Sequence, residues 1–185
     1  MDRSRHEWQD RVDATWSRID ALAPDAFVTA IDALAAERPD DDAAALFERA
    51  AARDSTGVEG DAEHFYRAAL ATGRLDAYRS VRATLQLAST LRILGHLQES
   101  ERMLTEEFER RDAMGGTHAL HDELRSLLAL TWIAQGRPLE AAALALSALA
   151  PHLTRYQRST LAHATNPLRE ARAASDGGPG SHIGR

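Results

Sequence analysis

Along most of the chain apolar residues return every three or four positions, the spacing of one helix face. Trp8, Val12, Trp16 and Ile19 mark the first stripe, over residues 6–22. Pro24 suits the first turn of a second helix, whose stripe is Phe27, Val28, Ile31 and Leu34. Pro39, Asp40, Asp41 and Asp42 interrupt the pattern, and an aspartate before an apolar run predicts an N-cap. Leu46, Phe47 and Ala50 then line one helix, and Ala62, Phe65, Tyr66, Ala69 and Leu70 line its partner, with Gly57 between them. Leu87, Ala88 and Leu91 line the next, Gly95 turns the chain, and Leu97, Met103, Leu104 and Phe108 belong to the helix that follows. A loop at Gly115 and Gly116, with Thr117 as cap, leads to Leu127, Leu128, Ala129, Leu130 and Trp132. Gly136 turns and Pro138 opens a helix packed by Ala141, Leu144, Ala145, Ala148 and Leu149, which Pro151 stops. Leu153, Tyr156, Thr160, Leu161 and Ala164 predict a final capping helix, ended by Asn166 and Pro167. Beyond about Ala173 the Gly/Ser/Pro-rich end predicts disorder.

Aligning Gly57, Gly95 and Gly136 aligns much else. Seven residues before each stands Ala50, Ala88 or Ala129; five after stands Ala62, Ser100 or Ala141. Small residues suit the places where paired helices touch, and glycine suits a turn of positive φ. The pattern predicts an all-α fold, a short right-handed helical solenoid of stacked hairpins. Its parts are an N-terminal helical arm (1–39), a repeat domain (40–165) and a tail (166–185).

This pattern resembles the tetratricopeptide repeat, with spacings between glycines of 38 and 41 residues in place of 34. The carrying residues are Arg53 to Glu59 (RDSTGVE), Gln86 to Gly95 (QLASTLRILG) and Arg155 to Ser159 (RYQRS). With them the chain resembles a bacterial family, tetratrico peptide repeat, group five, over roughly residues 40 to 165. The resemblance implies a compact tetratricopeptide-like repeat domain that is expected to bind proteins, admits a homodimer, and has no established enzymatic activity.

Composition changes this picture little. Hydrophobic residues make up 44% and aromatics 5%, so much of the apolar content is alanine, a strong helix former. The absence of cysteine excludes disulfides and thiolate metal sites. The net charge of -6 disfavours nucleic acid. No apolar run reaches the roughly 18 residues of a membrane span, and MDRSRHEWQD lacks the apolar core of a signal peptide, so a cytoplasmic protein is expected.

Candidate chemistry concentrates on the first helix of each hairpin, which in such repeats lines a concave groove. The expected groove residues are Phe47, Asp54, Arg82, Leu85, Gln86, Ser89 and Arg92, with Ala44, Glu48, Ala51 and Ser55 beside them. Glu123, Ser126, Leu130 and Ile133 are their counterparts in the third hairpin. Arginine suits bidentate capture of a carboxylate or phosphate, so Arg92 with Arg82, Gln86 and Ser89 would grip an anionic group. Alternatively Asp54 neutralises Arg92, since both stand three residues before their glycines. The partner expected is an unidentified protein or peptide bound without cofactor or metal. A second copy docking through Trp8 and Trp16 is the alternative, as aromatics favour interface cores; the same tryptophans would otherwise be core. His118, His121 and Asp122 superficially suggest a metal-dependent hydrolase, but lack the further ligands that chemistry needs. Arg155, Arg158, Arg169 and Arg172 read as a solvated basic face.

Overall fold

The computed structural model describes residues 3–114 and 119–164, and every long element among them is an α-helix. The chain divides into two compact units, Met1–Leu120 and His121–Arg185.

The first unit holds α1 (Arg3–Trp16), α2 (Pro24–Ala35), α3 (Ala43–Asp54), α4 (Glu59–Ala71), α5 (Ala77–Ile93) and α6 (Leu97–Met114). Local signals act where the sequence places them. Pro24 opens α2, where its missing N–H costs nothing. Asp42 caps α3 by accepting from Ala45 N at 3.0 Å. Asp76 caps α5 through Arg79 N at 2.8 Å. Gly57 and Gly95 end α3 and α5 with φ of +80° and +86°, a backbone that side chains strain to adopt.

Hairpins α3–α4 and α5–α6 stack so that α5 touches both α3 and α4. This is the hairpin packing of a tetratricopeptide-like solenoid. The core between them contains Phe47, Ala50, Ala51, Ala62, Tyr66, Ala69, Ala83, Leu87 and Leu91. The small residues stand at the helix contacts. Ser100 is fully buried, and its hydroxyl donates to Ala88 O at 2.7 Å, so the positions five after and seven before Gly95 meet directly. Twelve residues past the glycine, where the other hairpins carry Ala69 and Ala148, α6 carries Glu107. Its charge is met by Arg111 Nε at 2.7 Å, and both residues are buried.

The N-terminal arm folds back on the stack. Trp8, Val12, Leu34, Ala35 and Ala45 form a cluster joining α1, α2 and α3. Phe27, Ile31 and Ala52 form another, with Trp16 against it. The stripe of residues 6–22 is shorter than expected: α1 ends at Trp16, and Ile19–Ala21 is a 3₁₀ turn.

The second unit holds α7 (His121–Ala134), α8 (Pro138–Leu149) and α9 (Gln157–Ala164). α7 and α8 form a hairpin closed by Gly136 at φ +78°, and α9 packs on α8. Leu124, Leu128 and Ala129 of α7 and Ala141 and Ala148 of α8 are buried. The capping helix begins later than expected, because Tyr156 adopts φ +65° and stands 77% exposed. Ala145 and Leu149, expected to pack α8, face solvent instead. Gly115, Gly116, Thr117, Asn166, Pro167 and the tail from 165 onward lie outside the described residues.

Candidate functional site

α5 presents one face to solvent. Tyr78, Arg82, Gln86, Ser89 and Ile93 lie along it at helical spacing, with both ends apolar and 53% exposed and the three middle residues half-buried. The Arg82 guanidinium lies 5.1 Å from the Phe47 ring centre and 5.9 Å from that of Tyr78. The two rings face the guanidinium, and its N–H groups form no ion pair among the described residues. The Gln86 side-chain oxygen is shut off from solvent yet accepts no hydrogen bond from any described residue. The Arg92 Nε–H is likewise enclosed and without a partner among the described residues, and its guanidinium approaches Ser89 Oγ at 3.5 Å. An unsatisfied acceptor and two guanidinium groups therefore lie along one helix, with the Gln86 oxygen and the Arg92 Nε–H enclosed. α5 itself carries three arginines and no acidic residue.

Beside this face the inner side of α3 holds buried carboxylates. Glu48 is 5% exposed; burial pushes its pKa above the ordinary value, opposed by the Trp16 indole and by Arg79 and Arg82. Trp16 Nε1 donates to Glu48 Oε2 at 2.8 Å, and Arg79 Nη2 stands 3.9 Å from Oε1. Arg79 also donates to Gln9 of α1. Through Trp16 and Gln9, α1 thus occupies both Glu48 and Arg79, one residue on each of two successive first helices. Burial also raises the Asp54 carboxyl, which accepts from Thr90 Oγ1 at 3.2 Å and Tyr66 Oη at 3.3 Å. Burial beside that carboxylate pushes the Tyr66 phenol upward in turn.

These contacts sort the expected groove residues. Arg82, Gln86, Ser89 and Arg92 share the accessible side of α5, as do Leu130 (44%) and Ile133 (55%) on α7. Phe47 and Leu85 are core residues, 1% and 4% exposed, and Glu48 and Ala51 are buried with them. The expected Asp54–Arg92 pair does not form among the described residues. Thr90 and Tyr66 reach Asp54 instead, because both project into the α3–α4–α5 contact where Asp54 sits.

Trp8 and Trp16 are engaged within the chain. Trp8 is 5% exposed and donates its indole N–H to Leu34 O at 2.8 Å, with Arg38 over its ring at 5.6 Å. Trp16 meets Phe27 edge to face at 4.9 Å. Arg38, Arg74 and Arg79 line a cavity of about 370 Å³ with Trp8 and Gln9, but Asp42, Asp41 and Asp76 pair with them. Sequence reasoning missed this cavity, since its walls come from α1 and the starts of α3 and α5, far apart in the chain.

In the second unit Asp122 is held by His152 Nε2 at 2.9 Å and faces Arg125 at 3.7 Å. No group of three or more His, Cys, Asp or Glu able to hold a metal occurs among the described residues, outside which His118, Arg169 and Arg172 lie. No helix among them is long and apolar enough to cross a membrane.

No curated protein and no solved structure matches the chain. The pattern of one family, described as tetratrico peptide repeat, matches residues 43–166, from the first residue of α3 to just beyond α9. That span is well over half of the chain, and with its glycine-closed hairpins the chain belongs to the tetratrico peptide repeat family, group five, a family of helical-repeat protein-interaction modules.

Proposed function

We propose that the exposed face of α5 docks a peptide segment of a protein partner, with no chemical step. The observation that carries this is the pair of enclosed, unpaired groups on α5, the Gln86 amide oxygen and the Arg92 Nε–H. Enclosed polar groups without a partner cost about 1–3 kcal/mol each, so a ligand that draws these side chains outward and supplies the missing bonds recovers part of that cost. A peptide backbone offers both a donor and an acceptor. Arg82, oriented by Phe47 and Tyr78, adds a fork for a side-chain or terminal carboxylate. Tyr78 and Ile93 supply apolar contact at either end. The ligand lies beyond the stretch that α1 covers, because Glu48 and Arg79 are already engaged.

The full chain, immobilised and exposed to source-cell lysate, retains its partner; Arg82→Glu combined with Gln86→Ala releases it. The circular dichroism and melting temperature of the double variant stay near wild type, since neither residue is core. Equal capture by both proteins overturns the proposal. If the double variant misfolds, Gln86→Ala alone decides, with at least a several-fold loss of capture expected.

A further inference from the structure

The cavity between α1 and the starts of α3 and α5 joins an apolar lining to paired charges. Its volume is about 370 Å³, and Trp8, Pro39, Ala44 and Leu75 supply apolar wall. Three arginine–aspartate pairs complete it. Arg38 Nη2 donates to Asp42 Oδ2 at 2.9 Å, Arg74 Nη2 to Asp41 Oδ2 at 2.7 Å, and Arg79 Nη1 to Asp76 Oδ2 at 2.8 Å. Asp42 and Asp76 also cap α3 and α5, so the backbone fixes two of the carboxylates. Arg74 donates to the Asp41 carbonyl as well, tying the link before α5 to the link before α3. The Arg38 and Asp42 side chains are mostly covered, whereas those of Arg74 and Asp41 are 57% and 74% exposed and form the rim. The pairs leave bonding capacity over. Arg74 Nε and Nη1 donate to nothing among the described residues, and a carboxylate can accept more bonds than Arg74 makes to Asp41.

We infer that this cavity binds a free amino acid with an apolar side chain, its two charged groups laid across the Arg74–Asp41 pair. In that pair a cation and an anion stand side by side, as do the carboxylate and ammonium bonded to one carbon of an amino acid. Set antiparallel, the ligand carboxylate accepts from the remaining Arg74 N–H groups and the ammonium donates to Asp41. Four charges then alternate, and the existing pair stays intact. A simple anion in the same place meets Asp41, and a simple cation meets Arg74, so like-charge contact disfavours both. The lining as a whole favours neither sign, because Arg38, Arg74 and Arg79 balance Asp41, Asp42 and Asp76. The ligand side chain takes the apolar wall. Ligand pockets span roughly 300–1,000 Å³, and this one lies at the small end, which suits a small molecule and not a folded partner. A peptide terminus brings one charge without the other and lacks the alternation. This inference uses none of Arg82, Gln86 or Ser89, so it stands or falls apart from the peptide face of α5.

The test is calorimetric titration of the full chain with L-phenylalanine, L-leucine and the two single-charge analogues of the former, 3-phenylpropanoate and 2-phenylethylamine. At least one of the amino acids binds saturably, with a Kd below about 1 mM. If it is L-phenylalanine, each analogue binds at least about tenfold more weakly; if L-leucine, 4-methylpentanoate and 3-methylbutylamine take their place. Arg74→Ala, at the exposed rim, weakens the amino acid at least about tenfold while the melting temperature stays near wild type. Arg102→Ala, at an equally exposed arginine of α6 outside the cavity, leaves binding unchanged. Should Arg74→Ala fail to fold, the analogue comparison on the unaltered chain decides. No saturable binding of either amino acid overturns the proposal. So does a single-charge analogue that binds as tightly as its amino acid, the result expected of a peptide terminus or a plain ion. An Arg74→Ala variant that folds and binds normally overturns it too, as does equal weakening by Arg102→Ala.

Discussion

α5 and α8 both belong to glycine-closed hairpins, yet they meet solvent in opposite ways. α5 buries Leu85, Leu87 and Leu91 and offers solvent Arg82, Gln86 and Ser89. α8 buries alanines and offers solvent leucines. The difference separates what packs a helix from what a helix leaves for something else. Alanine at the helix contact permits close approach but buries little area, so α8, which buries Ala141 and Ala148, contributes less apolar burial to its hairpin than α5 does.

The comparison breaks if burial does not control stability as described. Leu87→Ala removes a 2% exposed side chain from the core between hairpins and should cost about 2–5 kcal/mol in denaturant unfolding. Leu146→Ala, truncating a 42% exposed residue, should cost less than about 1 kcal/mol. Comparable costs at the two sites would mean that Leu146 is packed within the chain as closely as Leu87.

A second measurement tests what the hairpins share. Gly95 and Gly136 both have positive φ, and a methyl group added at either would meet no atom within 4 Å. Substitution by alanine then costs only backbone strain, about 1–2 kcal/mol, and the same at both turns. A much larger loss at one site would point to a close approach that the geometry does not contain.

The Ser100 hydroxyl sharpens the contrast further. It donates to Ala88 O inside the α5–α6 contact, whereas the corresponding Ala141 on α8 has no such bond to lose. Ser100→Ala should cost about 1 kcal/mol, with a matching fall in melting temperature. No loss would show that small size alone matters at this position.

Much of the fold was legible because polar and apolar residues alternate sharply where the chain is amphipathic. Pro24, Asp42, Gly57, Gly95 and Gly136 each act locally, so each could be placed without knowing the tertiary fold. The rotation of α8 was not legible, because a helix apolar on all sides has no polar face to orient it. Ala145 and Leu149 were expected inside for that reason. On α3 the reverse occurred: Glu48 and Asp54 looked like groove residues. They are largely enclosed because Trp16, Tyr66 and Thr90, distant in sequence, supply their hydrogen bonds. The candidate face on α5 was legible as residue types at helical spacing. Its enclosed and unpaired atoms were not, since they depend on packing around the helix.

The smallest effect concerns the carboxylate under α1. Burial raises the Glu48 pKa above its unfolded value of about 4.3, so the folded chain holds this proton more tightly than the unfolded chain. The resulting stability is complete below that pH and is lost as pH rises through the folded value. Glu48→Gln does not titrate, and its amide oxygen can still accept from the Trp16 indole. The stability of the variant relative to wild type should therefore climb as pH rises from about 4 and level off above the folded value, as read from paired melting curves. A relative stability that falls with pH would mean that Arg79 and Arg82 favour the carboxylate enough to outweigh its burial. The contact between Glu48 of α3 and the arginines of α5 would then be predominantly ionic.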